Sequence, residues 1–390
     1  MGDILSGSPS GAEPPWQWPR AAYVHVPFCA YHCGYCDFAV AAGRDDHIDA
    51  YLDGLSNELS TLGAATPVTT LFLGGGTPTH LTPVQLERLL ALIGRWLPLS
   101  GGLQEFSVEA NPDSLTADKV AVLADYGVTR ISLGAQSFHA HLLQTLDRAH
   151  DPAEIGRAVE TARRRIDQLS LDLIFGVPGQ TIAEWQADLR RALDLRPDHV
   201  STYGLTYEKG TPLWKRRRRG ELVALGEEAE LSFYALAIDR LEAAGFEHYE
   251  ISNFALPGKR CRHNETYWTN EAYFGFGVGA ARYVRGRRAI NTRDLDGYIR
   301  KALAGQSCEF QAEELVPVER AKETMAVQLR RCDGIERTAF RTQTGYELDD
   351  IAGPRLTELA SQGFLADVGG KVCLTRQGKY VADAIIERLL

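Results

Sequence analysis

Three cysteines stand close together near the start of the chain, at the spacing C-x3-C-x2-C. Cys29, Cys33 and Cys36 follow directly after an apolar run at residues 23–28. A strand that ends in a loop with three thiols makes a compact metal-binding loop. Three ligands are one fewer than a closed tetrahedral site uses, so a metal group held here would keep one position for another ligand. A zinc ion with a distant fourth ligand such as Cys261 and an iron–sulfur cluster both fit this description.

A glycine-rich segment is the second motif that could do chemistry. Gly74, Gly75 and Gly76 end an apolar run and are followed by Thr77 and Pro78. Glycines let backbone N–H and C=O groups approach a ligand closely. Without a ligand, the same segment would be a tight turn between a strand and a helix.

Single polar side chains follow or end further apolar segments. They are Glu109, Gln136, Arg148 and Asp172. One such residue in an apolar strand is usually a hydrogen-bonded structural residue. Four of them at successive strand ends, or just beyond, indicate the lining of a pocket.

The elements that position these motifs alternate regularly from residue 21 to about residue 255. Strands are predicted at residues 21–28, 68–74, 105–110, 130–135, 169–175, 199–205 and 247–251. Helices are predicted between them at residues 46–62, 83–96, 116–126, 181–195 and 227–244. About six strand–helix units in a row indicate an α/β protein with a parallel sheet and outer helices. A partial (β/α)6 TIM-like barrel is favoured over an open doubly wound sheet, with active groups at the carboxyl ends of the strands.

The remaining chain divides into three further parts. Residues 1–20 are rich in Gly, Ser and Pro and are predicted to be a flexible N-terminus. Residues 256–312 are a linking region dense in glycine and aromatics. Residues 313–390 combine helices with a small hairpin, which predicts a winged-helix-like α+β domain. Such domains often bind DNA, but 11 Lys and Arg against 13 Asp and Glu favour a packing or partner-binding role here.

Composition excludes several classes of function. The net charge of −9 argues against broad electrostatic binding of nucleic acid. The seven cysteines are an odd number with one close group, which favours a reducing cytoplasm over a secreted disulfide framework. No apolar run reaches the ~18 residues that a membrane-spanning helix needs.

The cysteine loop after the first strand strongly resembles that of radical S-adenosylmethionine (SAM) proteins. The resemblance implies that Cys29, Cys33 and Cys36 hold a [4Fe–4S] cluster and that SAM binds its fourth iron. It also implies roles in SAM binding for the residues named above and for two tyrosines, with Tyr35 beside the adenine, Gly75–Thr77 at the amine and Arg148 at the carboxylate. The full set is Tyr23, Tyr35, Gly75, Gly76, Thr77, Glu109, Gln136, Arg148 and Asp172.

Five motifs narrow the resemblance to the coproporphyrinogen-oxidase-like branch of that superfamily. They lie at residues 23–29, 74–79, 107–112, 134–138 and 172–179, and the likeness covers roughly residues 21–390. The branch contains an oxygen-independent coproporphyrinogen III dehydrogenase, which decarboxylates two propionates. It also contains heme chaperones, which deliver heme to respiratory proteins. The dehydrogenase carries a further cysteine two residues after the third, where this chain has Phe38.

A segment in the linking region favours the heme chaperone. His263, Asn264, Tyr267 and Trp268 form the pattern H-N-x-x-Y-W, which resembles a heme-binding motif of those chaperones. Imidazole ligates heme iron, and the two aromatic rings could stack on a porphyrin. The alternative is that His263 and Asn264 bond to nearby backbone and the aromatic rings are core. Cys261 is another candidate iron ligand.

The resemblance therefore implies a protein that binds a [4Fe–4S] cluster, SAM and heme. Its partners would be respiratory hemoproteins and a heme donor, without nucleic acid. A homodimer, peripheral contact with a membrane, and whether SAM is cleaved stay open.

Two other segments could suggest function. The cationic run at residues 215–219 is a solvated loop in the simplest interpretation; contact with heme propionates, an acidic partner or a membrane surface is the alternative. Residues 275–280 fit G-x-G-x-x-A, but no strand–turn–helix unit surrounds them, so close backbone packing is expected instead of a dinucleotide site.

Overall fold

The short apolar segments form a central sheet, and the segments between them form helices against it. The computed structural model describes residues 13–101 and 104–390. The strands are β1 Ala21–Val26, β2 Phe28–Cys29, β3 Ala41–Ala42, β4 Thr70–Gly75, β5 Glu105–Ala110, β6 Arg130–Gln136, β7 Gln168–Phe175, β8 His199–Gly204, β9 Glu247–Glu250, β10 Asn253–Ala255, β11 Tyr273–Gly277, β12 Ala281–Val284, β13 Arg287–Asn291, β14 Glu309–Glu314, β15 Ile335–Glu336, β16 Leu365–Val368 and β17 Lys371–Leu374. The helices are α1 Ile48–Ser60, α2 Pro83–Trp96, α3 Ala117–Asp125, α4 Ala140–Thr145, α5 Pro152–Ala162, α6 Ile182–Asp194, α7 Pro212–Arg218, α8 Glu227–Ala243, α9 Arg262–Trp268, α10 Leu295–Leu303, α11 Pro317–Gln328, α12 Arg337–Thr344, α13 Leu348–Ser361, α14 Arg376–Tyr380 and α15 Ala382–Leu389.

Among the described residues, the main sheet runs in the order β14-β13-β12-β11-β1-β4-β5-β6-β7-β8-β10-β9. The strands from β11 through β1 and β4 to β8 pair in parallel, and those at both edges pair antiparallel. Parallel strands joined by helices bury both faces, as their continuous apolar runs require. The expectation of a partial (β/α)6 barrel is confirmed.

The segment at residues 256–312 contributes to this same sheet. β11 pairs in parallel with β1, and β12, β13 and β14 extend the edge beyond it. The helix α10 packs on α1, with Tyr51 and Tyr298 in ring contact at 5.6 Å. The glycines of 275–280 allow close packing, since a Cβ on Gly275 would lie 1.8 Å from the Ala281 carbonyl oxygen.

Helix boundaries follow local signals. α2 begins with a capping box of Thr82 and Gln85, with Pro83 in the first turn. α5 carries the same signal in Asp151 and Glu154, but the sequence prediction contains no helix there. The strong capping pattern could have revealed it.

The N-terminal segment is packed where the structure describes it. Trp18 is buried against Phe274, and Arg285 lies over its ring and pairs with Glu13. The predicted flexibility therefore does not hold for residues 13–20, because burial of a large aromatic ring anchors this segment. Residues 1–12 lie outside the described residues.

The C-terminal region has its own hydrophobic cluster, built from α11, α12, α13 and α15 around the small sheet β15-β17-β16. Helices followed by the β16–β17 hairpin agree with the predicted winged-helix-like α+β domain. Two short helices, α14 and α15, end the region and are separated at Val381. No described helix has the length and apolarity needed to span a membrane.

Candidate functional site

The carboxyl ends of the parallel strands surround a cavity of about 770 Å³. This is the position at which barrel folds place their active groups. The predicted residues that line it are Cys29, Cys33, Cys36, Tyr35, Gly75, Gly76, Thr77, Glu109, Gln136, Arg148 and Asp172. Motifs separated by up to 143 positions in the sequence are thus brought to one place.

The cysteine loop is held by backbone hydrogen bonds to two neighbouring elements. The Gly34 amide donates to the Leu146 carbonyl at 3.0 Å, and the Gly34 carbonyl accepts from the Leu213 amide at 2.8 Å. A Cβ on Gly34 would lie 2.4 Å from a carboxylate oxygen of Asp147, so a side chain there would displace that carboxylate. The loop is therefore fixed between the end of α4 and the start of α7.

The chemistry of the three thiols fits an iron–sulfur cube better than a zinc ion. Among the described residues, no group of three His, Cys, Asp or Glu side chains converges on a single metal ion. A cube binds each thiolate through a different iron, so its three ligands need only line a common space. Burial raises the pKa of Cys29 to about 12 and that of Cys36 to about 11, so metal binding must displace their protons.

The glycine segment forms a cradle that leaves no room for side chains. Gly75 has φ of 103°, and a Cβ there would lie 2.3 Å from the His25 ring. A Cβ on Gly76 would lie 2.7 Å from the carbonyl oxygens of Val26 and Phe28. The Gly75 amide donates to Glu109 Oε2 at 2.9 Å. The backbone of the glycine segment and the Glu109 carboxylate therefore both line the cavity and are hydrogen-bonded to each other.

Tyr23 is the predicted SAM residue that does not line this cavity. Its hydroxyl donates to His25 Nδ1 at 3.0 Å, while His25 Nε2 donates to the Ala39 carbonyl at 2.9 Å. Burial lowers the pKa of His25 to about 4, which keeps the ring neutral for this pair of bonds. Tyr23 and His25 thereby position the segment that follows the cysteine loop.

Arg148 connects the cysteine loop to two strand ends. Its Nη1 donates to Cys33 Sγ at 3.4 Å, and its Nη2 donates to Asn111 Oδ1 at 2.8 Å and to the Gly134 carbonyl at 2.9 Å. Asn111 in turn donates to Thr77 Oγ1 at 3.0 Å. Nε of Arg148 is buried without a hydrogen-bond partner in the described part of the chain, so one donor remains for a ligand.

Gln136 reaches the cavity through irregular backbone. It has φ of 62°, which is uncommon for a residue with a side chain, and the pairing of β6 with β7 shifts register next to it. Bulges of this kind redirect side chains beside functional sites.

Two carboxyl groups lie deeper in the barrel. Burial raises the pKa of Glu109 to about 7, and it also raises the pKa of Asp172, which accepts from the Ser132 hydroxyl at 2.9 Å. Carboxyl groups in such surroundings bind hydroxyl groups or protons readily.

The cavity is also lined by residues that the sequence analysis did not predict. These residues are Tyr203 at the end of β8, Ile251 and Ser252 after β9, and Arg330 and Asp383 from the C-terminal region. The strand-end position of Tyr203 was a usable signal. Arg330 and Asp383 gave none, because only the tertiary fold brings them to the barrel.

The H-N-x-x-Y-W motif lies on α9, with His263 at the other end of the barrel and Trp268 in contact with Arg330 of the cavity lining. His263 is 0% exposed, and its ring nitrogens bond to Thr70 Oγ1 at 3.1 Å and to the Tyr267 hydroxyl at 2.8 Å. Thr70 begins β4, so this is the end formed by the amino termini of the strands. In this conformation neither ring nitrogen of His263 is free to ligate iron.

A smaller cavity of about 100 Å³ lies between the two ends and is lined by Asn264, Cys261, Arg130, Glu109 and Asp172, among others. Cys261 Sγ donates to Glu105 Oε1 at 3.2 Å, and burial raises the thiol's pKa well above its usual range. Cys261 is therefore held as a neutral hydrogen-bond donor.

The cationic run is helical, contrary to the solvated loop of the simplest interpretation. α7 includes Lys215 to Arg218, and its first turn is anchored by the Leu213 bond to the cysteine loop. Arg217 lies over the Tyr207 ring at 4.5 Å and Arg218 over the Trp214 ring at 5.0 Å. The aromatic rings support the helix on its exposed side.

Comparison with known proteins agrees with this geometry. The family model of the radical SAM superfamily matches residues 23–192, and that of the HemN C-terminal domain matches residues 315–381. A solved structure of coproporphyrinogen III oxidase (HemN) from Escherichia coli covers 97% of this chain and 91% of its own, with a TM-score of 0.83 and 23% identity. These matches and the three-cysteine loop define a radical SAM protein with the HemN fold.

The curated relatives specify the family within that class. The heme chaperone HemW of Bacillus subtilis is 37% identical over 95% of this chain and 99% of its own length. The heme chaperone HemW of Lactococcus lactis is 36% identical over 96% of this chain and 98% of its own. The chain belongs to the HemW family.

Proposed function

We propose that this protein is a heme chaperone, which binds heme and transfers it to respiratory hemoproteins. The observation that supports this most directly is the similarity over nearly the whole chain to relatives named heme chaperone HemW. Phe38 is the second support, because it stands where the resemblance places the extra cysteine of the dehydrogenase. All seven cysteines are free, which suits a reducing cytoplasm.

The residues around the larger cavity fit a [4Fe–4S] cluster and SAM as resident cofactors. Cys29, Cys33 and Cys36 would hold the cluster, which supplies one electron to SAM when both are bound. The Gly75–Thr77 cradle would receive the amine of SAM, and the free Nε of Arg148 its carboxylate. Glu109 or Asp172 would bind the ribose hydroxyls. The SAM-binding side chains orient SAM and exclude water, and they form no covalent bond to it.

For heme, the proposed contacts are His263, Asn264, Tyr267 and Trp268. Because His263 is buried and bonded at both nitrogens, ligation of iron requires α9 to move and the bonds to Thr70 and Tyr267 to break. Movement of α9 also breaks the bonds that the Cys261 thiol and the His263 amide donate to Glu105 of β5.

The alternative function is oxygen-independent coproporphyrinogen III dehydrogenase, which the shared HemN fold favours. The two are separated by one preparation, reconstituted anaerobically with iron and sulfide and assayed in parallel. We expect near-stoichiometric heme binding and no decarboxylation of coproporphyrinogen III in the presence of SAM and a reductant. Decarboxylation by a fully loaded sample that binds no heme would establish the dehydrogenase instead.

A further inference from the structure

Two aromatic side chains outside the SAM-binding motifs line the cavity with exposed rings. Phe38 is 63% exposed and Tyr203 is 42% exposed, and both line the cavity. Large aromatic rings left open inside a cavity are suited to stacking against a flat apolar ligand. Phe38 follows the cysteine loop and Tyr203 lies at the end of β8, and neither ring has a ligand in the account so far.

Arg330 supplies a cationic group to the same cavity. Its Nε donates to Glu250 Oε1 at 3.2 Å and its Nη1 donates to Asp383 Oδ1 at 2.9 Å. Within the described residues, its Nη2 has no hydrogen-bond acceptor. A guanidinium with one open donor can form a two-pronged bond to a carboxylate through Nη1 and Nη2 if the present acceptor on Nη1 gives way.

The two present partners of Arg330 differ in how easily they can be exchanged. The Asp383 side chain is 91% exposed, so its pairing with Arg330 is screened by water and contributes little. Glu250 is 1% exposed and would be left as a buried, unpaired carboxylate if Arg330 moved away. A ligand carboxylate would therefore replace Asp383, while Glu250 keeps the guanidinium in place.

We infer that the part of the cavity lined by Phe38, Tyr203 and Arg330 binds a flat, largely apolar ligand with peripheral carboxylates, and that Arg330 binds one of those carboxylates. The inference rests on the proposed function, in which the ligand is heme and the carboxylates are its propionates. It adds a specificity residue contributed by the C-terminal region, which thereby completes the ligand site of the barrel.

Arg330 also contacts the heme motif. Its guanidinium carbon lies 5.2 Å from the centre of the Trp268 ring, and the Trp268 indole nitrogen is buried without a partner among the described residues. One arginine thus touches both the cavity wall and the last residue of the motif. A carboxylate bound to Arg330 would therefore lie near Trp268 and change the surroundings of its ring.

The test compares hemin with its dimethyl ester, which keeps the ring and iron but has no carboxylates. We expect Arg330→Gln to weaken hemin binding about tenfold in absorbance titrations, the order expected for one charge-assisted, two-pronged bond, and to leave the ester unaffected. Arg376→Gln is the matched control, since Arg376 also pairs with a carboxylate, Asp239, and lies over an aromatic ring, Tyr380, at 6.0 Å. It does not line the cavity, and its substitution should change neither affinity.

Asp383→Asn provides a second variant at an exposed position that folding tolerates. Removal of the competing carboxylate should tighten hemin binding about twofold to threefold, without effect on the ester. Equal affinity of the unaltered protein for hemin and ester, or equal weakening of both ligands by Arg330→Gln, would overturn the inference. If neither ligand binds the unaltered protein, the proposed function itself fails.

Discussion

The Nε2 atom of His263 lies 2.8 Å from the hydroxyl oxygen of Tyr267, one helical turn further along α9. Two residues of the H-N-x-x-Y-W motif therefore bond to each other. The second ring nitrogen of His263, Nδ1, is hydrogen-bonded to the Thr70 hydroxyl. Burial lowers the pKa of His263 to about 4, which keeps the ring neutral in this buried position. The motif thus has a closed state, and heme binding must compete with it.

Removal of the histidine should destabilise the heme-free protein. His263→Ala leaves the Thr70 and Tyr267 hydroxyls without their partner and opens a cavity, at a cost of about 2–4 kcal/mol in the free energy of unfolding. Urea unfolding measures this cost. His141→Ala is the control, because the His141 side chain is 56% exposed and its contacts are an ion pair with Glu184 and an edge contact with the His139 ring. Equal stability of the two variants would show that the closed state does not exist in solution.

Release of the histidine should favour its ligation to heme. Tyr267→Phe keeps the aromatic ring but removes the hydroxyl that bonds to His263 Nε2. The variant therefore frees this nitrogen and loses the stabilisation of one hydrogen bond. We expect the low-spin absorbance and resonance Raman features of histidine-ligated heme to increase in this variant and to vanish in His263→Ala. A heme spectrum that stays the same in both variants would remove His263 from the iron site.

Gly75 should tolerate no side chain. Its φ of 103° disfavours other residues, and a Cβ would collide with the His25 ring at 2.3 Å. Gly75→Ala should lower the unfolding free energy by roughly 2 kcal/mol or more and abolish SAM binding in equilibrium dialysis. Gly94→Ala is the control: Gly94 lies in α2 with open space around it, so alanine should stabilise slightly. Unchanged SAM affinity in Gly75→Ala would remove the cradle from the SAM site.

Arg148 should be irreplaceable by lysine despite the equal charge. Lysine cannot reach Cys33, Asn111 and the Gly134 carbonyl together, because it lacks the planar fork. We expect Arg148→Lys to lower the yield of reconstituted cluster several-fold, measured by iron and sulfide content and by electron paramagnetic resonance. Arg157→Lys, on the exposed face of α5, should reconstitute like the unaltered protein. Full cluster content in Arg148→Lys would contradict this role.

Glu109, inside the barrel, should make the free energy of unfolding depend on pH. Its folded pKa of about 7 lies above the ordinary value of 4.5, so the folded state binds the proton more tightly than the unfolded chain. Its contribution to stability is present at low pH and is lost as the pH rises from about 4.5 through 7. Glu109→Gln removes this loss, so the variant should gain roughly 3 kcal/mol relative to the unaltered protein between pH 4.5 and pH 8.

Urea unfolding of the apoprotein at several pH values measures that difference. The exposed Glu87→Gln serves as control and should show a constant offset from the unaltered protein. A Glu109→Gln offset that is likewise independent of pH would mean that this carboxyl is solvated in the apoprotein.

The sequence was most informative where function depends on short local patterns. The cysteine loop, the glycine cradle and the strand-end residues Glu109 and Asp172 are encoded next to the strands that position them, so their convergence follows from the parallel sheet. Tyr23 lies on a correctly predicted strand, yet its hydroxyl bonds to His25 away from the larger cavity. A strand pattern predicts the face of a side chain but not its hydrogen-bond partner.

The parts that sequence reasoning missed depend on long-range packing. Arg330 meets Glu250 and Trp268 only because the C-terminal region packs on the barrel. The closed state of His263 requires Thr70, which is 193 positions away. α9 has seven residues, too few for a clear helical period. No local pattern carries such information.

Transfer of heme to an acceptor tests the central claim most directly. Protein reconstituted with cluster and loaded with one equivalent of heme is mixed with a heme-free respiratory cytochrome, and the absorbance of the assembled cytochrome is followed over time. The account predicts transfer faster than spontaneous uptake of the same amount of free heme, with loss of heme from the chaperone. Assembly no faster than from free heme, by a protein that instead decarboxylates coproporphyrinogen III, would contradict it.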